Sequence, residues 1–323
     1  MAEPKQNVDI ICGSDIVPTD VKWLWYPYIP CGKITIVQGD PGEGKSTFVL
    51  ALAAILTRGD PLPFTDGKRE PVNVIYQNIE DDASDTVMPR FIRFGGDPEH
   101  LFFIDEKEKA LTFSDDRIIY AIKELDAKVL IFDPLSGYLG ADVSMNLANE
   151  VRQRFNKIIN VAQQTGCAII IISHMNKMSG AKAIYRTSGS VDVIGAARSG
   201  LTIQKHPDDP QLRVVAVYKS NLAELGKSIS FSVGDTVEWM EQIDMTADEL
   251  LGNIFSINDR GETKKEKAKS FLNNYLKDAP RPQSMVMENL KSAGISQRTA
   301  ENAKAELGIR SFKEGAVWYW KMP

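Results

Sequence analysis

Five short apolar runs set the frame of this chain: residues 34–37 (ITIV), 72–77 (VNVIYQ), 101–104 (LFFI), 129–132 (VLIF) and 168–173 (AIIIIS). Compact runs of this kind, rich in β-branched residues, predict strands buried on both faces. Between them, helical spacing predicts helices over 48–56, 85–94, 114–125 and 147–165. The third has apolar Ile118, Ile119, Ile122 and Leu125 behind a capping-type start, Ser114-Asp115-Asp116. Strand and helix alternate, so the expected fold class is α/β, a twisted and mainly parallel sheet with helices on both faces. After residue 199 the pattern changes. Runs at 201–205 and 213–219 flank the turn HPDDP, and runs at 229–233 and 237–240 flank Gly234-Asp235. Each predicts an antiparallel pair added to one edge of the sheet.

Two further segments lie outside that frame. Residues 1–32 hold Trp23, Leu24, Trp25, Tyr26, Pro27, Tyr28, Ile29 and Pro30. So much apolar surface is costly in water, so this segment is expected to pack on the body of the same chain, with a neighbouring subunit as the alternative. Residues 245–261 read as a polar connector, partly helical. Beyond them, 262–323 fit a separate small domain, with helices over 264–276, 284–293 and 296–307 and a hairpin, 310–313 with 316–320, around Glu314-Gly315. Three helices and a terminal hairpin are the layout of a winged helix-turn-helix. The expected division is therefore 1–32, 33–244, 245–261 and 262–323.

Charge sharpens this division. The chain carries a net charge of −5. From Glu262 onward there are 12 Lys and Arg against 7 Asp and Glu, leaving 26 against 36 for the rest. A basic tail on an acidic body suits contact with a polyanion, or serves only as a soluble tail. No apolar run reaches membrane-spanning length, and the first residues lack a signal-peptide layout. Cys12, Cys31 and Cys167 have neither paired nor metal-site spacing. They read as reduced packing thiols of a cytoplasmic protein.

The densest chemistry follows the first run. Gly39, Gly44, Lys45 and Ser46 fit G-x-x-x-x-G-K-[ST], with a predicted strand before and a helix after. Glycines let the backbone approach a ligand, and the helix N-terminus favours an anion. Residues Gly39, Asp40, Pro41, Gly42, Glu43, Gly44, Lys45, Ser46 and Thr47 are thus the candidate ATP cradle. Lys45 would meet the β- and γ-phosphates, and Ser46 would meet Mg²⁺. The run 129–132 ends in Asp133, at the strand end where α/β sheets hold ligands. Asp133 is the second Mg²⁺ candidate. Glu80 follows the second strand and can align an attacking water. His174 closes the run 168–173 and can sense the γ-phosphate.

GDPGEGKST, the NIEDD turn, VLIFDP and IIISHMNK resemble the corresponding motifs of the RecA-like ATPases. The similarity spans 20–240 and is nearest to the RepA-type hexameric replicative helicases and their phage and mobile-element relatives. It implies a homo-oligomer, a hexameric ring or a filament, with ATP between neighbouring subunits. It also implies Glu80 as the catalytic acid and Lys219, or an arginine near it, reaching a neighbour's nucleotide. Asn221 occupies the place where related helicases often carry an arginine, so Arg198 and Arg186 are alternatives.

The expected activity is that of an Mg²⁺-dependent ATPase and helicase-like motor acting on DNA in replication or recombination. The alternative is an ATP-switched DNA-binding regulator or recombination mediator. In the loop 174–190, Lys177, Lys182 and Arg186 among Gly and Ser suit contacts with single-stranded DNA, and Tyr185 can stack on a base. In the tail, Arg298 and Lys304 on the third helix are the DNA candidates, with Lys313 on the wing. Trp318, Tyr319 and Trp320 are expected to pack the hairpin.

Overall fold

The computed structural model of the 323-residue chain describes residues 11–140, 148–175, 183–185, 191–206, 209, 211–251, 264–276, 280–292, 295–315 and 317–323. A small hairpin, β1 (Trp23–Trp25) with β2 (Ile29–Pro30), leads into the main body. There β3 (Ile34–Gly39), α1 (Lys45–Arg58), β4 (Val74–Asn78), α2 (Met88–Arg93), β5 (Leu101–Phe102) and α3 (Arg117–Glu124) follow in order. Next come β6 (Val129–Asp133), α4 (Leu135–Tyr138), α5 (Ala148–Thr165), β7 (Ala168–His174) and α6 (Val191–Ala196). The strands β8 (Ser199–Lys205), β9 (Leu212–Ser220), β10 (Ser228–Val233) and β11 (Val237–Ile243) complete the sheet, followed by α7 (Ala247–Leu250).

The nine-stranded sheet has the order β11-β10-β9-β8-β3-β7-β6-β4-β5. Neighbours from β8 to β5 are parallel, and those from β8 to β11 are antiparallel. The mainly parallel α/β fold and the antiparallel extension at one edge both agree with the hydrophobic pattern.

Alternation along each central strand divides the core in two. Val37, Val129, Ile131, Ile170 and Ile172 pack with Phe48, Leu52 and Phe91 of α1 and α2. Their neighbours Ile36, Leu130, Phe132, Ile169 and Ile171 pack with Ile118, Ile122, Phe155 and Ile158 of α3 and α5. Burial on both faces is why these runs are continuous rather than alternating.

The aromatic N-terminal segment packs within the chain, as its composition predicts. The rings of Trp25 and Tyr28 lie 4.4 Å apart, and Trp25 also meets Phe48 and Trp239. Tyr28 Oη donates to the carbonyl of Lys227 at 2.8 Å, and Trp25 Nε1 donates to that of Pro63 at 3.3 Å. Helix α1 is thereby held to the antiparallel edge of the sheet.

Several local expectations need correction. The helix expected from Ser114 begins at Arg117, and Asp116 makes no side-chain cap. Asp115 instead accepts from the backbone N–H and guanidinium of Arg117 and pairs with Lys109. The helix expected over 85–94 opens with a wide π-type turn, Ala83–Val87, capped by Asp82, before α2. Cys12 is exposed, so it is not a packing residue; Cys167 is buried.

The last part of the chain holds α8 (Lys264–Tyr275), β12 (Arg281–Pro282), α9 (Gln283–Ser292), α10 (Gln297–Glu306), β13 (Arg310–Glu314) and β14 (Val317–Lys321). The strands form a separate sheet, β12-β14-β13. Ala268, Leu272, Val286, Leu290, Ala300, Ala303 and Trp320 make its own core. The short strand β12 was not evident in the sequence. Trp320 is fully buried as expected, whereas Trp318 is 50% exposed and does not fill the core.

Candidate nucleotide site

Parallel register brings the ends of the central strands together. Gly39 lies beside His174, and Asn78 lies beside Asp133. The loop between β3 and α1 starts at this edge. Gly42 and Gly44 have φ of 79° and 91°, values that side chains rarely adopt. Gly39 is needed for a different reason. A Cβ there would sit 2.5 Å from the carbonyl oxygen of Ile203 and 3.3 Å from the Lys45 side chain. The chain thus bends back onto α1, whose first turn contains Lys45, Ser46 and Thr47. Left-handed glycines followed by a helix N-terminus make a concavity suited to an anion.

Lys45 is 5% exposed, and its Nζ donates to the carbonyl of Asp40 at 2.9 Å. Burial lowers its pKa below the ordinary lysine value, against the opposing pull of Asp133, Asp40, Glu43 and Glu80. Those same residues place four carboxylates around one ammonium. Asp133, at the end of β6, is buried and hydrogen-bonded to Ser46 and to Tyr76 Oη, the latter at 2.9 Å. Burial raises its pKa above the usual carboxylate range. A serine hydroxyl beside a carboxylate is the hard-oxygen donor set that Mg²⁺ prefers, and Lys45 complements phosphate charge. The residues present therefore fit a magnesium nucleotide.

Glu80 is held by the turn after β4. Asn78 Oδ1 accepts from the N–H groups of Glu80 and Asp81 at 2.8 and 2.9 Å, and Ile79 N–H donates to the carbonyl of Asp133 at 3.3 Å. His174 Nε2 lies 3.7 Å from Glu80 Oε1. His174 Nδ1 is buried and has no hydrogen-bond partner among the described residues. The structure thus brings Gly39–Thr47, Asp133, Glu80 and His174 to one edge of one sheet. Pro41 and Gly42 are exposed at the rim of the loop.

Tyr76, Gln204, Lys205 and Arg213 at this edge escaped the sequence reading, as did the parts played by Asn78 and Glu43. Tyr76 and Asn78 fix Asp133 and Glu80, as described. Glu43 is buried against β8, where Lys205 N–H donates to Oε2 at 2.6 Å and Lys205 Nζ lies 3.6 Å from Oε1. Gln204 Nε2 donates to Asp40 Oδ2 at 3.3 Å. Arg213, opposite Lys205 on β9, lies 3.9 Å from where a side chain on Gly44 would begin. The motif's two acids are thus tied to the neighbouring hairpin. Only knowledge that β8 lies beside β3 would have exposed this.

Other candidates lie elsewhere. Lys219 pairs with Gly200, which lies beside Ile36, towards the opposite end of the strands from Gly39. Its Nζ donates to the carbonyl of Ile194. Burial and the nearby Arg198 lower its pKa. Arg198 is exposed at that same end, its N–H donating to the carbonyl of Ile34 at 3.0 Å. Neither reaches its own chain's loop. Lys177, Lys182 and Arg186 lie outside the described residues. Arg298 is exposed on α10. Lys304 does not point freely outward: its Nζ sits 4.5 Å over the Trp320 ring and 3.5 Å from Glu301. The long lysine stem covers the buried tryptophan instead.

Residues 6–180 match the model of the AAA domain family. The chain belongs to that family. The matched part of this AAA domain chain contains the loop 39–47, Glu80 and Asp133, and ends before β8. Membership agrees with the resemblance to RecA-like P-loop ATPases and carries nucleotide binding with it. The chain is also 29% identical over 148 residues to "DNA repair protein RadA" of Halalkalibacterium halodurans, and 24% identical over 148 residues to that of Bacillus subtilis. Each match covers 45% of this chain and 28% of the relative, so the chain spans little more than a quarter of those proteins. Among solved structures, a KaiC-like protein from Pyrococcus horikoshii is 17% identical, with a TM-score of 0.48 over 66% of this chain and 91% of that one. No described helix is long and apolar enough to cross a membrane.

Proposed function

We propose that this AAA domain chain is an Mg²⁺-dependent ATPase that acts on DNA as a homo-oligomer, with the helicase-like motor of the RepA-type family as its model. The observation that carries the reading is the convergence of Lys45, Ser46, Asp133 and Glu80 at one sheet edge beside the glycine loop. Bound Mg²⁺ would neutralise phosphate charge and fix the phosphate chain. Ser46 and Asp133 would hold it, and Lys45 would exchange the Asp40 carbonyl for phosphate oxygens. Glu80, held by Asn78, would orient the attacking water, and His174 beside it would register loss of the γ-phosphate.

Lys219 sits towards the other end of the strands from its own loop and bonds to the Ile194 carbonyl, which favours action on a neighbour's nucleotide, with Arg198 as its companion. The loop 174–190 would carry single-stranded DNA. The helices and hairpin within 264–323 would act as a winged helix-turn-helix, with Arg298 among its exposed cations. The test is ATP turnover with and without single-stranded DNA, together with the mass of the assembled particle. Turnover that needs Lys45 and Asp133, rises with DNA and belongs to a multimer supports the reading; a monomer indifferent to DNA opposes it.

The likeness to DNA repair protein RadA favours a second reading, an ATP-switched recombination or repair factor without unwinding. A forked duplex separates the two: strand separation marks the motor, and ATP-dependent binding alone marks the switch.

A further inference from the structure

Hairpin β13–β14 turns its two faces to different surroundings. Trp320 is fully buried in the core beneath α9 and α10. By strand alternation its neighbour Tyr319 faces the other way. Tyr319 pairs directly with Phe312 across the ladder, and their rings are 5.6 Å apart and inclined by 20°. Phe312 is 37% exposed. The next pair along this face is Arg310 with Lys321, both exposed. The pair on the other side is Glu314 with Val317, also exposed. The outer face is therefore a ladder of two cations, two near-parallel rings, then an acid with a valine, with Pro282 of β12 beside the half-buried Tyr319.

We propose that this face is a stacking platform for single-stranded DNA. Unpaired bases would lie on Phe312 and Tyr319, and the backbone would follow Arg310 and Lys321. A stacked pair of partly exposed rings can be extended by bases with free π surfaces, which duplex bases lack. The net charge of this part of the chain fits the choice: residues 262–323 hold 12 Lys and Arg against 7 Asp and Glu, whereas the rest of the chain is acidic. Glu314 gives the platform polarity, because phosphates are favoured at the Arg310 end. The choice of DNA rests on the proposed function; the platform itself needs neither ATP turnover nor the loop 174–190.

The experiment uses the full chain, without nucleotide, and a labelled dT20 oligonucleotide. The parent binds dT20 with an affinity that falls with salt. The double variant F312L/Y319L keeps apolar bulk but loses the rings, and weakens binding about tenfold or more with the salt slope unchanged. The double variant R310Q/K321Q weakens binding and flattens the slope by roughly one to two. Photocrosslinking of a bromodeoxyuridine oligonucleotide to the parent maps to the peptide holding Phe312 or Tyr319. ATP turnover without DNA is unchanged in both doubles. Lys45→Ala, which removes turnover, keeps dT20 binding, so failure of the ATPase reading and failure of this one are read separately. F312L/Y319L binding like the parent, crosslinks absent from the hairpin, no dT20 binding at all, or tighter binding of rU20 would each overturn the proposal.

Discussion

Tyr76 Oη donates a hydrogen bond to Asp133 Oδ2 at 2.9 Å, and both side chains are buried. The contact crosses from β4 to β6 and leaves the other carboxylate oxygen for Ser46 or a metal. Removing the hydroxyl with Tyr76→Phe keeps the packing but loosens the carboxylate. Turnover is expected to fall about 10- to 100-fold, with half-saturating Mg²⁺ raised. Steady-state rates across a magnesium titration check this. A rate loss with an unchanged magnesium midpoint would contradict it.

Asp133 carries an opposite prediction for stability. Its burial raises the folded pKa, so the fold disfavours the charged form. The penalty is absent at low pH, where the carboxyl is neutral in both states, and appears as pH rises above the usual carboxylate range. Asp133→Asn should therefore be about 1 kcal/mol more stable than the parent at neutral pH, with no gain near pH 3, while turnover is crippled. Melting curves at the two pH values, run beside ATPase assays, test both halves.

Asp115 runs the other way. Hydrogen bonds from Arg117, with a further one from Lys109, hold its carboxyl well below the ordinary value. Its contribution to stability is present above that ordinary value and fades as pH falls through the folded one. Asp115→Asn is expected to lose about 1–3 kcal/mol at pH 7, with the gap narrowing under acid. Denaturant midpoints at pH 7 and pH 3 measure the difference, and equal gaps would refute the assignment.

Gly39→Ala should damage the loop without touching any charge. The added methyl meets backbone oxygen of Ile203, which cannot swing aside as a side-chain tip can. A loss of roughly 1–3 kcal/mol is expected, with weakened nucleotide binding. Equilibrium unfolding and nucleotide titration would detect both.

Lys219 calls for a mixing experiment. Lys219→Ala and Lys45→Ala should each be nearly inactive alone. Mixed assemblies should recover part of the turnover, because some sites then combine an intact loop with a neighbour's intact Lys219. Mixtures that stay inactive at every ratio would exclude action between subunits.

Much of the site was legible because its parts lie next to one another in the chain. The glycine loop needs no distant partner to be recognised, and Asp133 declares itself by ending an apolar run. Glu80 depended on strand order. What stayed hidden was set by pairing across long sequence separations. Glu43 and Lys205 are 162 residues apart, and no local pattern links them. The same holds for Tyr76 and Asp133. Aromatic residues misled in one place: Trp318 and Trp320 share a face of β14, but Trp320 is fully buried and Trp318 stays half exposed. The start of α3 was misread because Arg117 claims the acid that would otherwise cap it.

The ribbon formed by β8 and β9 has a mechanical consequence. Lys205 grips Glu43 at one end, and Lys219 stands near the other, along a ladder whose register shifts once, between Gly200 and Leu201. A tug on the glycine loop would therefore run along the ribbon and meet that irregularity just before Lys219. One inserted residue between them would turn Lys219 to the opposite face and sever that linkage while leaving each end intact.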